Sequence, residues 1–285
     1  MGTVKAYIEL TKPRIATLIL IVAAASFYLA RPDAVDAVRL AVSVVGIGAL
    51  AFGIFALNHF LERDTDRLMP RTAGRPLPSG RLLPAQALLF GCSLTVISFL
   101  IIGPLLGLLA AGIALFTFAS YLFVYTPLKK RTAYHTALGA LSGATPVLLG
   151  WVSARGALDL NAAILACILF LWQFPHFLSI EIRYQEDYAA AGIRVLPVTD
   201  PTGRAVSIEI LVSVALLAAV SILPYFTGLA GVPYLVGASI LGAGFLASGV
   251  LLAVHRDRAR ARLVLRASVS YLPLLFLLLS LDVAR

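Results

Sequence analysis

Stretches of about eighteen or more apolar residues, long enough to cross the hydrocarbon core of a bilayer, recur along this 285-residue chain from end to end. They leave no room for a soluble domain. Charged residues make up 13% of the chain, far below the roughly one-quarter of a soluble globular domain. Backbone groups in lipid have no water to bond, so runs of this length must be helices. Windows bounded by charge, Gly and Pro place nine of them near 15–30, 40–60, 85–103, 106–126, 136–153, 160–180, 206–226, 233–254 and 265–281. The expectation is an all-α, polytopic membrane protein of one domain, residues 1–285. Lys5, Lys12 and Arg14 give the first run the look of a signal peptide, but the comparable runs after it make it an uncleaved first helix. Cys92 and Cys167 lie mid-run in different stretches, outside any CxxC or Cys/His cluster, which argues against a disulfide or zinc site.

An odd number of spans puts the two termini on opposite sides, and the basic residues say which is which. With the N-terminus inside, the cytoplasmic side holds Lys5, Lys12, Arg14, five arginines from 63 to 81, Lys129, Lys130, Arg131, Arg183, Arg194, Arg204 and five arginines from 256 to 266. Arg31, Arg39, Arg155 and Arg285 fall outside, a split of nineteen to four that predicts an N-in, C-out topology. The whole net charge of +9 then lies on one face, where anionic membrane lipid rather than nucleic acid is the expected partner. Orientation does not account for the acids. They cluster at two places on that same face, Glu62, Asp64 and Asp66 in one, Glu181, Glu186 and Asp187 in the other. Mixed charge at a membrane surface points to a bound metal and a bound anion.

The second run leads into NHFLERDTDRLMPRTAGRPLPSGR, beginning at Asn58. On a helix, Asn58, Glu62 and Asp66 fall within an arc of about 80°, with Glu62 and Asp66 about 6 Å apart along the axis. Asp64 points elsewhere and joins them only if the helix ends nearby. Carboxylate and amide oxygens are hard ligands suited to Mg²⁺, which binds one or two carboxylates together with substrate phosphates. Arginines that follow, Arg71 and Arg75 among them, match phosphate oxygens bidentately. The pairing suggests a Mg²⁺-diphosphate site. The plainer reading of such a run is a solvated interfacial loop with incidental ion pairs.

The sixth run ends in LWQFPHFLSIEIRYQEDYAAAGIRVLPVTDP. A helix carried through it sets Trp172, His176, Arg183 and Asp187 within an arc of about 60°, while Glu181 and Glu186 project away. Pro175 should kink that helix and open space beside His176. A packing kink with a hydrogen-bonded core histidine would give the same pattern. Between the two acidic segments, Lys129, Lys130 and Arg131 close the fourth run, as a topology signal or as a grip on a leaving diphosphate. His59 and His255 read as ordinary interfacial residues, and Gly139 with Gly143 as a close helix contact.

Together these segments resemble the heme O synthase (protoheme IX farnesyltransferase) branch of the intramembrane UbiA-type prenyltransferases. The resemblance covers nearly the whole chain. It rests on LTKPRIATLIL, on Asn58-x-x-x-Glu62-x-Asp64-x-Asp66 with LMPRT and RPLPSGR, and on YTPLKKRT, GALSGATPVLLGW, WQFPHF and EDYAAAGIRVLPV. The first motif marks the superfamily; PHF followed by DYxxAGIxxLPV points to the heme branch. The resemblance implies nine helices around a lipid-facing cavity and two acidic segments that bind Mg²⁺-diphosphate at its cytoplasmic end, in a bacterial inner membrane. It also implies farnesyl diphosphate as donor and protoheme IX as acceptor, and admits a heme A synthase or a terminal oxidase assembly protein as partner. Three positions depart from the family pattern: Glu62 stands where Asp is common, His135 where Asn is usual, and Glu181 where a small apolar residue is expected.

On this reading Asn58, Glu62 and Asp66, with Asp64 if the helix ends early and Asp187 opposite, hold Mg²⁺. Arg71, Arg75, Lys129, Lys130 and Arg183 grip the diphosphate. His176 lies about 16 Å along the axis from Asp187, too far to share its metal, and is expected deeper in the cavity as an anchor for protoheme. Two rivals remain. A relative that prenylates a quinone precursor usually carries a second Asp-x-x-x-Asp pair, but Arg183 stands four before Asp187. A secondary transporter would show inverted repeats and acids near the midplane, and the acids here sit at helix ends.

Overall fold

The computed structural model describes residues 2–283, so Arg285 of the topology count lies outside the described residues. Among them, nine helices are long and apolar enough to cross a membrane. They are α1 (Pro13–Ala30), α2 (Ala37–Asp66), α3 (Pro84–Leu106), α4 (Leu108–Leu128), α5 (His135–Arg155), α6 (Leu160–Arg183), α7 (Arg204–Phe226), α8 (Val232–His255) and α9 (Arg258–Leu281). A short amphipathic helix, Gly2–Leu10, precedes them and is not evident in the apolar windows.

Carboxylates set three of the helix starts. Asp36, Asp159 and Asp257 each accept a hydrogen bond from the backbone N–H three residues on, at 2.9, 3.0 and 2.7 Å. Each satisfies a donor that the helix itself leaves unpaired. Each span packs against the next in chain order and α9 returns against α1, while direct packing of α1 on α5 and of α6 on α9 fills the middle of the bundle. Helices α2 and α5 are the most enclosed. Small residues let α5 come close to its neighbours: a Cβ at Gly139 would strike the Tyr125 ring, and one at Gly143 would strike the Gln173 amide. The close contact expected of that pair is present, and it seats a ring that lines the candidate site.

Helix α4 is not regular throughout. Over Ser120–Tyr125 the backbone widens, and the Thr126 N–H bonds the Tyr121 carbonyl five residues back. Such widened turns recur at functional sites because they re-aim side chains. Here Tyr121 and Tyr125 have ring centroids 5.0 Å apart, and both face one cavity.

Candidate active site

One end of the bundle gathers the termini of α1, α2, α4, α5 and α6 around a cavity of about 200 Å³. Its floor and walls carry four cations, Lys12, Arg71, Arg75 and Lys129, and three carboxylates, Glu62, Asp66 and Glu181. Aromatic and apolar side chains, including Tyr121, Tyr125 and Phe177, fill the spaces between them. Tyr121 also lines a second, apolar cavity of about 60 Å³, deeper in the bundle beside Ile54, Phe55 and Leu149.

Helix α2 runs unbroken to Asp66, so Asn58, Glu62 and Asp66 share a face as their spacing requires. Each is engaged by a cation. Lys12 donates to Asn58 Oδ1 at 2.9 Å, Lys129 to Glu62 Oε1 at 2.6 Å, and Arg75 to both oxygens of Asp66 at 2.8 and 2.7 Å. The loop after α2 makes the last pair possible. Pro70 opens a short helix, Pro70–Ala73, and the Thr72 hydroxyl donates back to the Asp66 carbonyl at 2.7 Å. That turn brings Arg75 under the end of the helix it follows.

The second acidic segment closes the cavity from above. Gly192, at φ +68, turns the chain in the left-handed region that a Cβ disfavours, and Arg194 N–H then bonds the Lys129 carbonyl at 2.9 Å. Met69 from the first acidic loop packs with Ala191, Ile193 and Val195 from the second. The two segments that the sequence separates by more than a hundred residues thus form one roof. Arg71 reaches across it to the Tyr188 hydroxyl at 3.3 Å and lies over the Tyr184 ring at 4.9 Å.

Burial and the nearby Arg75 guanidinium push the Lys12 ammonium down to about 7. Burial opposes the charge of Lys129 too, but the Glu62 carboxylate beside it holds that ammonium well above the ordinary lysine range. The difference is that Lys12 bonds a neutral amide and Lys129 a carboxylate. An anion entering the cavity would favour the charged form of Lys12.

Several expected site residues lie elsewhere. Asp64 is exposed and sits 3.7 Å from Arg63, because the helix does not end early enough to turn it inward. Lys130 lines a neighbouring groove rather than the cavity. The stripe of Trp172, His176, Arg183 and Asp187 loses its last member, because α6 stops at Tyr184 and a separate helix, Gln185–Ala190, begins. Asp187 does not line the cavity, although the next residue, Tyr188, does; neither does Arg183, which lies over the Tyr184 ring at 5.4 Å. Among the described residues no three His, Cys, Asp or Glu side chains form a cluster that could hold a metal by themselves.

The face of α6 that meets the cavity is the opposite one, Phe177, Ile180 and Glu181. His176 turns toward α9, where its Nδ1 lies 2.8 Å from Ser268 Oγ and its ring stacks on Trp172 at 4.7 Å. Trp172 Nε1 donates to the Ser268 carbonyl at 2.8 Å, so the seam of α6 and α9 uses both side chains. His59 is also displaced from expectation. It is buried, with neither ring nitrogen bonded, rather than interfacial.

Residues 18–277 match the UbiA prenyltransferase family. The chain belongs to that family. A protoheme IX farnesyltransferase of Solibacter usitatus is 48% identical over 97% of this chain and 98% of its own, and one of Opitutus terrae is 39% identical over 97% and 94%. Among solved structures, that of digeranylgeranylglyceryl phosphate synthase superposes with a TM-score of 0.83 at 18% identity, covering 99% of both chains. A UbiA homolog from Archaeoglobus fulgidus bound to GPP and Mg²⁺ superposes with a TM-score of 0.67 at 15% identity, over 96% and 99%. This UbiA-family chain is thus a multi-pass membrane enzyme, and membership removes the transporter alternative.

Proposed function

We propose that the chain transfers a farnesyl group from farnesyl diphosphate to a vinyl group of protoheme IX, giving heme O. The observation that carries this reading is a cavity with a cluster of cations, with aromatic and apolar side chains between its charges, in a chain nearly half identical to a protoheme IX farnesyltransferase. The cations match an anion that must leave; the aromatic and apolar side chains match a carbocation that must not meet water too early.

The donor set of α2 fits Mg²⁺. Asn58, Glu62 and Asp66 offer hard oxygens from one helix face, and each is already bonded by a Lys or Arg that could turn to a phosphate oxygen instead. Bound there with the diphosphate, Mg²⁺ would neutralise charge that develops on the leaving group. Asp187 does not line the cavity in this arrangement, so it is left out of that set. Lys12, Arg71, Arg75 and Lys129 receive the diphosphate oxygens, and their charge stabilises the bond-breaking transition state more than the ground state. Tyr121 and Tyr125 present π faces to the allylic cation, and the apolar cavity beyond Tyr121 gives the prenyl chain its direction. The terminal vinyl carbon of the acceptor then bonds the first farnesyl carbon. Orientation follows from the charge split, with this end in the cytoplasm of a bacterial inner membrane.

Purified protein in detergent, given farnesyl diphosphate, Mg²⁺ and protoheme, should yield a farnesylated heme by mass analysis of the extracted pigment. Prenylation of a quinone-type ring in preference to protoheme would overturn the assignment.

A further inference from the structure

At the end of the bundle opposite the active site, three helix ends each bring one arginine: Arg31 just after α1, Arg39 in the first turn of α2 and Arg155 at the end of α5. Among the described residues no other lysine or arginine lies at that end. Two of the three share one cavity. Arg31 and Arg155 line a space of about 520 Å³ together with Asp33. Arg39 is used elsewhere, its Nε donating to the Ser153 carbonyl at 2.5 Å to tie α2 to α5.

The charges in the cavity are loosely held. Arg155 reaches the Asp159 carboxylate and the Ala30 carbonyl only at 3.4 Å each. Arg31 and Asp33 stand two residues apart and line the same space, yet among the described residues neither side chain forms an ion pair with the other or with anything else. Separated charges of both signs in one cavity suit a dipolar ligand. Two guanidiniums match the oxygens of a phosphate, and a carboxylate matches a primary ammonium. The volume lies within the roughly 300–1,000 Å³ of small-molecule sites.

The depth of the cavity says what kind of dipolar ligand reaches it. Helix α1 has 18 residues and α5 has 21, about 27 and 31 Å long at roughly 1.5 Å per residue. A hydrocarbon core is about 30 Å thick, so the cavity opens at the headgroup level of the leaflet opposite the active site. Just past the loop that frames it, Val38 and Val45 stand two turns apart on one face of α2, 75% and 58% exposed, and offer acyl chains an apolar bed.

We propose that this cavity binds a phospholipid headgroup carrying a phosphodiester and a primary ammonium, as in phosphatidylethanolamine, with the phosphate on Arg31 and Arg155 and the ammonium on Asp33. The bound lipid braces the ends of α1, α2 and α5, whose other ends frame the active site.

The test is the lipid that delipidated, purified protein takes up from detergent micelles, counted by native mass spectrometry. The micelles carry phosphatidylethanolamine, phosphatidylcholine or phosphatidylglycerol with the same acyl chains. Wild-type protein should bind phosphatidylethanolamine about tenfold more tightly than phosphatidylcholine, whose quaternary ammonium has no N–H for Asp33, the scale of one charge-assisted hydrogen bond. Asp33→Asn should abolish that preference and leave phosphatidylcholine affinity as it was. A misfolded fraction does not mimic this result, because the two lipids are compared on the same sample. Arg31→Gln combined with Arg155→Gln should weaken both lipids by about tenfold or more. Equal wild-type affinity for phosphatidylethanolamine and phosphatidylcholine, tighter binding of phosphatidylglycerol than of either, or wild-type lipid affinity in the arginine double variant overturns the proposal.

Discussion

Removing Arg75 separates two roles that one ion pair can play. Asp66 is 2% exposed and bonded on both oxygens by Arg75, whose side chain keeps 26% of its surface. Arg75→Met leaves a buried carboxylate without its partner, a change that costs about 3 kcal/mol, the low end for a broken buried pair because Arg75 is partly solvated. Asp66→Asn in the same chain removes the stranded charge, and the double variant should recover most of that loss in a melting experiment in detergent. Turnover should not recover. Each residue also acts on the diphosphate, Arg75 directly and Asp66 through the metal, so each single loss should lower kcat by about a hundredfold and the double variant should be at least as slow. A double variant that regains both its melting temperature and its rate would reduce the pair to a structural brace and refute the site as drawn.

Three further outcomes follow from the same geometry. A Cβ at Gly150 would collide with the Ala23 backbone carbonyl, so Gly150→Ala should separate α1 from α5 and cost about 1–3 kcal/mol, read as a lower melting temperature. His176→Ala removes the contact with Ser268 and the stack on Trp172; stability should fall by about 1 kcal/mol with protoheme affinity unchanged, whereas a lost Soret shift would put the imidazole on the iron. Chelation of Mg²⁺ should abolish turnover, and Glu62→Gln should raise the Mg²⁺ concentration needed to restore it while Asp187→Ala does not.

The spans were legible because apolar length alone dictates a membrane helix, and every one of the nine windows has its helix. The arc of Asn58, Glu62 and Asp66 was legible because α2 continues through it without interruption. The α6 side is less legible, for two reasons. The chain leaves its helix at Tyr184, with φ −117 and ψ 26, where no Gly or Pro marks the place, so Asp187 does not continue the α6 stripe. Which face of α6 meets the cavity is set by its packing on α9, where His176 meets Ser268, and that tertiary contact leaves Glu181 facing the cavity. From the sequence Lys12 is a topology charge, because its role depends on where the start of α1 lies against α2, a tertiary contact spanning 46 residues. His59 carried no local signal of burial.

The most direct test follows the prenyl group itself. With farnesyl diphosphate labelled in its chain, purified enzyme, Mg²⁺ and protoheme, the label should enter extracted heme in step with diphosphate release, one for one. Diphosphate released while the label stays as free farnesol, or moves only to a quinone-type ring, would contradict the account.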